Sequence, residues 1–259
     1  MGRLEGKAVL VTGAGSGIGA ACVRRLIGEG ALIAAVDLRQ DAVDDVLAEF
    51  NIGDRAFSAT LDVADREQVG AFFAAAQQRF GRLHGLINCA GIRGVGSVLD
   101  VETEGWQQVM AVNVDGTVNM CQAFARLAIE DVYEGEKASR SIVNISSGAG
   151  LMGVPNRLSY VASKFAVSGI TRTMCAELGK YKIRVNAVAP GMTRTPFTDY
   201  MFQDPENVRR IRAAHPIGRE ADPDEIAAAI VFLLCDDASF ITGAVIPVDG
   251  GSTACIPSH

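Results

Sequence analysis

The sequence has no excess of positive charge. Its 24 Lys and Arg stand against 30 Asp and Glu, a formal net charge of -6 at pH 7. That removes the electrostatic footprint that phosphate backbones and anionic membrane surfaces attract, so neither nucleic acid nor membrane is expected as a partner. Paired cysteines are missing too. Cys22, Cys89, Cys121, Cys175, Cys235 and Cys255 are scattered, with no C-x-x-C pair; they suggest neither a zinc cage nor a redox motif, and read as reduced thiols of a cytoplasmic protein. His84, His215 and His259 stand far apart without ligand spacing, so no metal is implied. Long apolar runs are absent: the best, Ala227 to Cys235, is about half of the roughly 20 residues of a spanning helix. The opening residues, Met1 to Lys7, lack the apolar run of a signal peptide, and Gly6 stands where a myristoylation signal wants Ser or Thr. No targeting segment is expected. Aromatics make up only 6%, which advertises no stacking pocket for large flat rings.

What is present is ordinary globular material: 259 residues, 49% hydrophobic and 21% charged. Short apolar runs alternate with longer segments of helical period. The spacing predicts strands near Ala8–Val11, Leu32–Val36, Arg55–Leu61, Gly85–Asn88, Ser141–Ile145, Arg184–Val188 and Val245–Val248, with helices at about 17–29, 40–49, 65–80, 104–130, 158–180 and 222–235. Runs apolar throughout, such as Ala31 to Val36, suit strands covered on both faces. The expected fold is an α/β, Rossmann-like, doubly wound parallel seven-stranded sheet with helices on both faces. With no repeat or linker, residues 1–259 read as one domain. Its one long irregular stretch, Gly191 to Asp222, is interrupted by Pro196, Pro205 and Pro216; loops of that length in compact domains are usually functional, and this one is expected to form a substrate lid.

Behind the first strand comes Thr12-Gly13-Ala14-Gly15-Ser16-Gly17-Ile18-Gly19, and a helical pattern opens at once. Glycines let the backbone approach a pyrophosphate, and the helix N-terminus offers it free N–H groups. Asp37, at the end of the second strand and 18 residues past Gly19, is placed to accept bonds from adenosine ribose hydroxyls and to repel a 2′-phosphate, which favours NAD. Arg39, two residues beyond the strand, leaves a phosphate open, and a helix-capping Asp37 is the plainer alternative.

Further on, Tyr160 and Lys164 lie four apart on a helical segment and share a face, which brings an ammonium near a phenol. A phenol titrates near ~10, too high for efficient proton transfer at pH 7, and a nearby positive charge is expected to lower it. Ser147 ends the preceding strand region at the sheet edge where ligands of doubly wound folds sit, and can hold a reacting oxygen. Its neighbour Ser146 is the rival for that role, with strand-end hydrogen bonding as its expected use.

Thr12 to Gly19 resembles the T-G-x-x-x-G-x-G loop of the ordinary short-chain dehydrogenases/reductases, and Asn88-Cys89-Ala90-Gly91 is similar to their N-N-A-G stretch, Cys89 replacing the second asparagine. The resemblance covers nearly the whole chain. It implies a catalytic set of Asn113, Ser147, Tyr160 and Lys164. It implies cofactor contacts from Gly13, Gly15, Ser16, Gly17, Ile18, Gly19, Asp37, Asn88, Ala90 and Gly91, from Asp62 and Val63 at the adenine, and from Tyr160 and Lys164 at the nicotinamide ribose. Pro190, Gly191 and Thr193 match the segment holding the carboxamide. By the same resemblance Asn113 anchors a proton-carrying water, and relatives usually assemble as homotetramers. The implied activity is NAD-dependent interconversion of a secondary alcohol and a ketone.

Arg157, three residues before Tyr160, together with Arg93 and Arg194 can reach the substrate cleft. Arginine suits bidentate carboxylate binding, so the small-molecule substrate is expected to carry an anionic group, as a hydroxy acid or sugar-type compound; surface arginines paired with nearby acids are the other reading. A dinucleotide-binding redox sensor without catalysis is the alternative function, since folds do not fix functions. It leaves Asn113, Ser147, Tyr160 and Lys164 without a use.

Overall fold

Strand β1 (Ala8–Thr12) shows in five residues why the sheet is covered on both sides. Val9 and Val11 join one apolar cluster, while Ala8 and Leu10 join the other. Strand β2 (Leu32–Asp37) repeats the pattern, Ile33 and Ala35 against Ala34 and Val36. Successive strand side chains point to opposite faces, so an unbroken apolar run requires a helical layer on each.

The computed structural model describes residues 2–130 and 140–255. After β1 come α1 (Gly17–Gly28), β2, α2 (Gln40–Ala48), β3 (Ala56–Thr60), α3 (Arg66–Phe80) and β4 (Leu83–Asn88). The chain continues with α4 (Thr103–Met110), α5 (Gly116–Glu130), β5 (Arg140–Ile145), α6 (Leu158–Leu178), β6 (Ile183–Pro190), α7 (Pro205–Ala213), α8 (Pro223–Leu234) and β7 (Val245–Val248). The strands form one parallel seven-stranded sheet in the order β3-β2-β1-β4-β5-β6-β7. Helices α1, α2 and α8 cover one face and α3 and α5 the other. The fold is the Rossmann-like one the apolar pattern predicts. Strand order reverses beside β1, which lies between β2 and β4, and ligand clefts of such sheets open there, at the carboxyl ends. Thr12, Asp37, Asn88 and Pro190 all end strands on that edge.

Two elements differ from expectation. The helix expected over 104–130 is interrupted by a single π turn, Ala111–Asp115, between α4 and α5. Such bulges widen a helix by one residue and re-aim a side chain, here Asn113. The stretch from Gly191 to Asp222 is also less irregular than its prolines suggest, holding a 3₁₀ turn, Asp199–Phe202, and helix α7. Pro205 begins α7 instead of breaking it: the Asp204 carboxylate accepts from the Glu206 amide, and proline at the first helical position forfeits no bond. Two backbone bonds, Ala221 to Met192 and Arg194 to Ala221, close the neck of this segment. Residues 256–259, among them His259, lie outside the described residues. No helix among the described residues is long and apolar enough to cross a membrane.

Candidate active site

The glycine loop is shaped by close backbone approaches. Gly13 adopts φ 65°, and a Cβ there would lie 2.8 Å from the Ala90 nitrogen. A Cβ at Gly19 would lie 2.0 Å from the Gly13 carbonyl oxygen. Only glycine allows the loop to turn back on β4 while the first turn of α1 packs beneath it. Thr12 Oγ1 accepts from the amides of Cys89 and Ala90, each at 3.0 Å, and fixes the two strand ends to each other. Ile18 packs on the core below.

Ser16 precedes α1 in extended conformation without capping it. Helix α3, by contrast, is capped by Asp65, which accepts from Glu67 and Gln68. The first turn of α1, Gly17 to Gly19, therefore turns N–H groups with no side-chain acceptor to the sheet edge, the arrangement that binds phosphate. Asp37 Oδ2 accepts from the Gly15 amide at 3.0 Å, and Oδ1 from the Arg39 amide at 3.3 Å. The carboxylate is thereby held at the lip of the loop. Around it, Asp62 Oδ1 accepts from Ala64 N at 2.9 Å, and Val63 is buried with its carbonyl bonded to Asn119 Nδ2. Across the edge, the Gly191 amide donates to the Val248 carbonyl at 3.0 Å, and Thr193 Oγ1 donates to the Gly191 carbonyl at 3.1 Å. Glycine cradle, uncapped helix and aimed carboxylate fit a dinucleotide.

Ser147, Tyr160 and Lys164 gather where β5 leads into α6. Ser147 caps the short turn Gly148–Gly150, its Oγ accepting from Ala149 N at 3.1 Å, and its hydroxyl favours the Tyr160 phenolate. Ser146 turns inward, donating to the Lys164 carbonyl at 3.2 Å and sharing a 2.9 Å bond with Ser168. The two serines are thus distinguished, Ser147 on the cleft and Ser146 in the core. Lys164 Nζ lies 5.7 Å from the Tyr160 ring centre and donates at 2.8 Å to the Ile145 carbonyl. Gly91 comes close beside it; a Cβ there would meet Asn113 Oδ1 at 3.2 Å and Lys164 Nζ at 3.6 Å. Asn113 is clamped by its own side chain, accepting from Ile92 N at 2.8 Å and donating to the Ile92 carbonyl at 2.9 Å and to Ser163 Oγ at 3.0 Å.

Burial sets the charges. It pushes the Lys164 ammonium down to about 8, and it raises the Tyr160 phenol above its ordinary value, opposed by the bond to Ser147 and the charge of Arg157. The expected lowering of Tyr160 by Lys164 is absent: the ammonium is drawn to the Ile145 carbonyl, and desolvation outweighs the cations nearby. Cys89 is pushed up to about 12 by burial, a neutral thiol at pH 7. Asn88 faces inward, its Nδ2 donating to Asn144 Oδ1 at 2.8 Å and to Cys121 at 3.1 Å.

The three arginines are divided. Arg157 donates to the Tyr200 hydroxyl at 2.7 Å, and the Arg93 guanidinium lies 4.4 Å from the centre of the same ring. Arg194 stands apart, 3.6 Å from Glu220 and over the ring of Phe202 at 4.6 Å. Tyr200 and Phe197 gave no signal in the sequence, because their significance lies in partners distant along the chain. Phe197 lies 6.1 Å from the Tyr160 ring, centre to centre, and Thr195 packs on Gly17. The segment from Gly191 to Asp222 thus spans the cleft from glycine loop to Arg93.

Residues 13–253 match the family model described as enoyl-(acyl carrier protein) reductase. The chain is 41% identical to a 2,5-dichloro-2,5-cyclohexadiene-1,4-diol dehydrogenase of Sphingobium indicum, over 98% of this chain and 100% of that one. It is 40% identical to 2-(S)-hydroxypropyl-CoM dehydrogenase 3 of Xanthobacter autotrophicus, over 97% of this chain and 98% of the other. The crystal structure of a levodione reductase superposes with a TM-score of 0.90 at 34% identity, covering 98% of this chain and 100% of that one. Motif spacing, strand order and full-length similarity agree, and the chain belongs to the short-chain dehydrogenase/reductase family.

Proposed function

We propose that this protein is an NAD(H)-dependent oxidoreductase that interconverts a secondary alcohol and a ketone, with residues 191–222 as its lid. The observation that carries the reading is the convergence of Ser147, Tyr160, Lys164 and Asn113 beside an uncapped glycine-loop helix. The two dehydrogenase relatives bear the names of a diol and a hydroxypropyl compound, both hydroxyl-bearing. Asp37, aimed over the loop, supports NAD over a 2′-phosphorylated cofactor.

A bound nicotinamide supplies the hydride chemistry. Gly13, Gly15 and the α1 N-terminus hold its pyrophosphate, Asp37 the adenosine ribose, Asp62 and Val63 the adenine, and Pro190, Gly191 and Thr193 the carboxamide end. Ser147 Oγ seats the substrate oxygen. Tyr160 Oη takes the proton from an alcohol or returns it to a ketone, and Lys164 provides positive charge at that exchange. The raised phenol is consistent with this role once a cationic ring enters the cleft, since added positive charge favours the phenolate. Asn113, fixed on Ile92 and Ser163, holds the π turn against the catalytic helix. Arg93 and Arg157 favour an anionic substrate, a hydroxy acid rather than an uncharged sugar.

The test is a screen of secondary alcohols, polyols, sugars and hydroxy acids with NAD+ and with NADP+. Turnover of at least one alcohol, faster with NAD+, is expected; a protein that binds NADH yet turns over none of them supports the redox-sensor alternative instead.

A further inference from the structure

Several of this protein's surface arginines pair with a carboxylate: Arg24 with Glu49, Arg25 with Asp224, Arg79 with Asp54, Arg212 and Arg194 with Glu220, and Arg219 with Glu225. Arg93 and Arg157 do not. Among the described residues neither has an acidic partner, and both meet at one phenol, that of Tyr200. Two guanidinium groups brought together without a counter-charge repel each other, so the arrangement requires something to hold it.

The backbone supplies that hold. The loop after β4 is zipped to the segment before α6: Gly96 donates to the Asn156 carbonyl at 3.2 Å, and Leu158 donates to the Gly96 carbonyl at 3.1 Å. Arg157 itself reaches back to the Gly94 carbonyl at 3.3 Å. Both arginines are thereby fixed at the start of the helix that carries Tyr160. From the opposite side, Phe197 rests on Tyr160 and the 3₁₀ turn Asp199–Phe202 delivers Tyr200 between the cations. The Tyr200 oxygen accepts from Arg157, which leaves its own proton to donate, and among the described residues that exposed hydroxyl makes no bond as donor. A phenol that accepts from a guanidinium is a stronger donor for it.

We infer that Tyr200 is a specificity-determining residue: with Arg157 and Arg93 it forms a three-donor site for an anionic group, carboxylate or sulfonate, on the substrate. The inference rests on the reading that the cleft over Tyr160 takes an alcohol. The substrate that satisfies both ends places its hydroxyl at Ser147 and Tyr160 and its charge at the lid, so that binding of the anion also holds the lid down.

The test compares hydroxy acids of increasing chain length with their primary amides, in the parent protein and in Tyr200→Phe, which keeps the ring over Arg93 and removes the hydroxyl. The parent is expected to prefer acids, and Tyr200→Phe to lower the acid-over-amide ratio of kcat/KM by about tenfold, the worth of one charge-assisted hydrogen bond, mainly through KM. Arg157→Gln lowers it further. Inhibition by propionate and ethanesulfonate, which carry the charge without a reacting hydroxyl, weakens in parallel, and comparison of the two separates carboxylate from sulfonate. An unchanged ratio in Tyr200→Phe, or a parent indifferent to acid and amide, overturns the inference while leaving the alcohol chemistry intact. Absence of turnover with every alcohol overturns the underlying reading.

Discussion

Lys164 Nζ stands 5.7 Å from the centre of the Tyr160 ring while donating to the carbonyl of Ile145, the last residue of β5. A buried ammonium is thus anchored to the sheet edge at one end of the cleft, and the phenol one helical turn earlier is held to it by the rigidity of α6. The pair forms one unit. Lys164→Met is expected to lower kcat/KM by about 100-fold or more, the range typical of a lost acid–base or charge contribution, in steady-state assays at pH 7.

The same lysine has a signature in stability. Burial lowers its pKa to about 8, below the ordinary value of 10.5, so between those values the unfolded chain binds more protons than the folded one. The sign of the linkage follows: this group's contribution to stability rises with pH from about 8 toward 10.5. Melting curves of the parent and of Lys164→Met over pH 7.5–9.5, a window of about two units chosen to stay below most phenol titration, are expected to converge or cross as the charge penalty in the parent is relieved. Parallel curves contradict the burial argument.

Glu220 makes the opposite prediction. Hydrogen bonding to Arg212, with the charges of Arg212 and Arg194 adding to it, holds its carboxyl down at about 2, and Arg194 and Arg212 contact it at 3.6 and 2.9 Å. The stabilisation is present above the ordinary carboxyl pKa of 4.5 and is lost as pH falls through about 2. Glu220→Gln is expected to flatten the pH dependence of Tm in that window, read by scanning calorimetry, and to loosen the neck of segment 191–222 near Ala221.

Gly13 tests the loop. Alanine there must adopt φ 65° with its methyl 2.8 Å from the Ala90 nitrogen. The strain is worth about 1–3 kcal/mol before the clash is counted. Lower Tm and loss of NADH binding, measured by calorimetry, are expected together.

Asp37→Ser removes the charge held at the lip of the glycine loop while Arg39 remains. The kcat/KM ratio of NAD+ over NADP+ is expected to fall by about tenfold or more, equivalent to roughly 1.4 kcal/mol. An unchanged ratio assigns Asp37 to holding Gly15 and Arg39 alone.

Much of the fold and of the site is legible in the sequence. Apolar runs such as Ala31 to Val36 can only be buried on both faces, and the spacing of Tyr160 and Lys164 forces one helical face. What escaped depends on partners remote in sequence. Asn113 sits in an uninterrupted helical pattern, and only its bonds to Ile92 and Ser163 reveal the π turn. Pro205 reads as a breaker until Asp204 is seen capping behind it. Tyr200 carries no motif; Arg157, 43 residues earlier, and Arg93 give it meaning. The direction of the Tyr160 shift also escaped, because spacing shows proximity of charge but not the depth of burial that opposes it.

The most direct test of the central claim is NADH formation by Tyr160→Phe with the best alcohol from the screen, alongside NADH binding by the same variant. Turnover is expected to fall by about 100- to 10,000-fold, the contribution of a positioned proton-transfer group, with NADH binding retained. A Phe variant as active as the parent contradicts it.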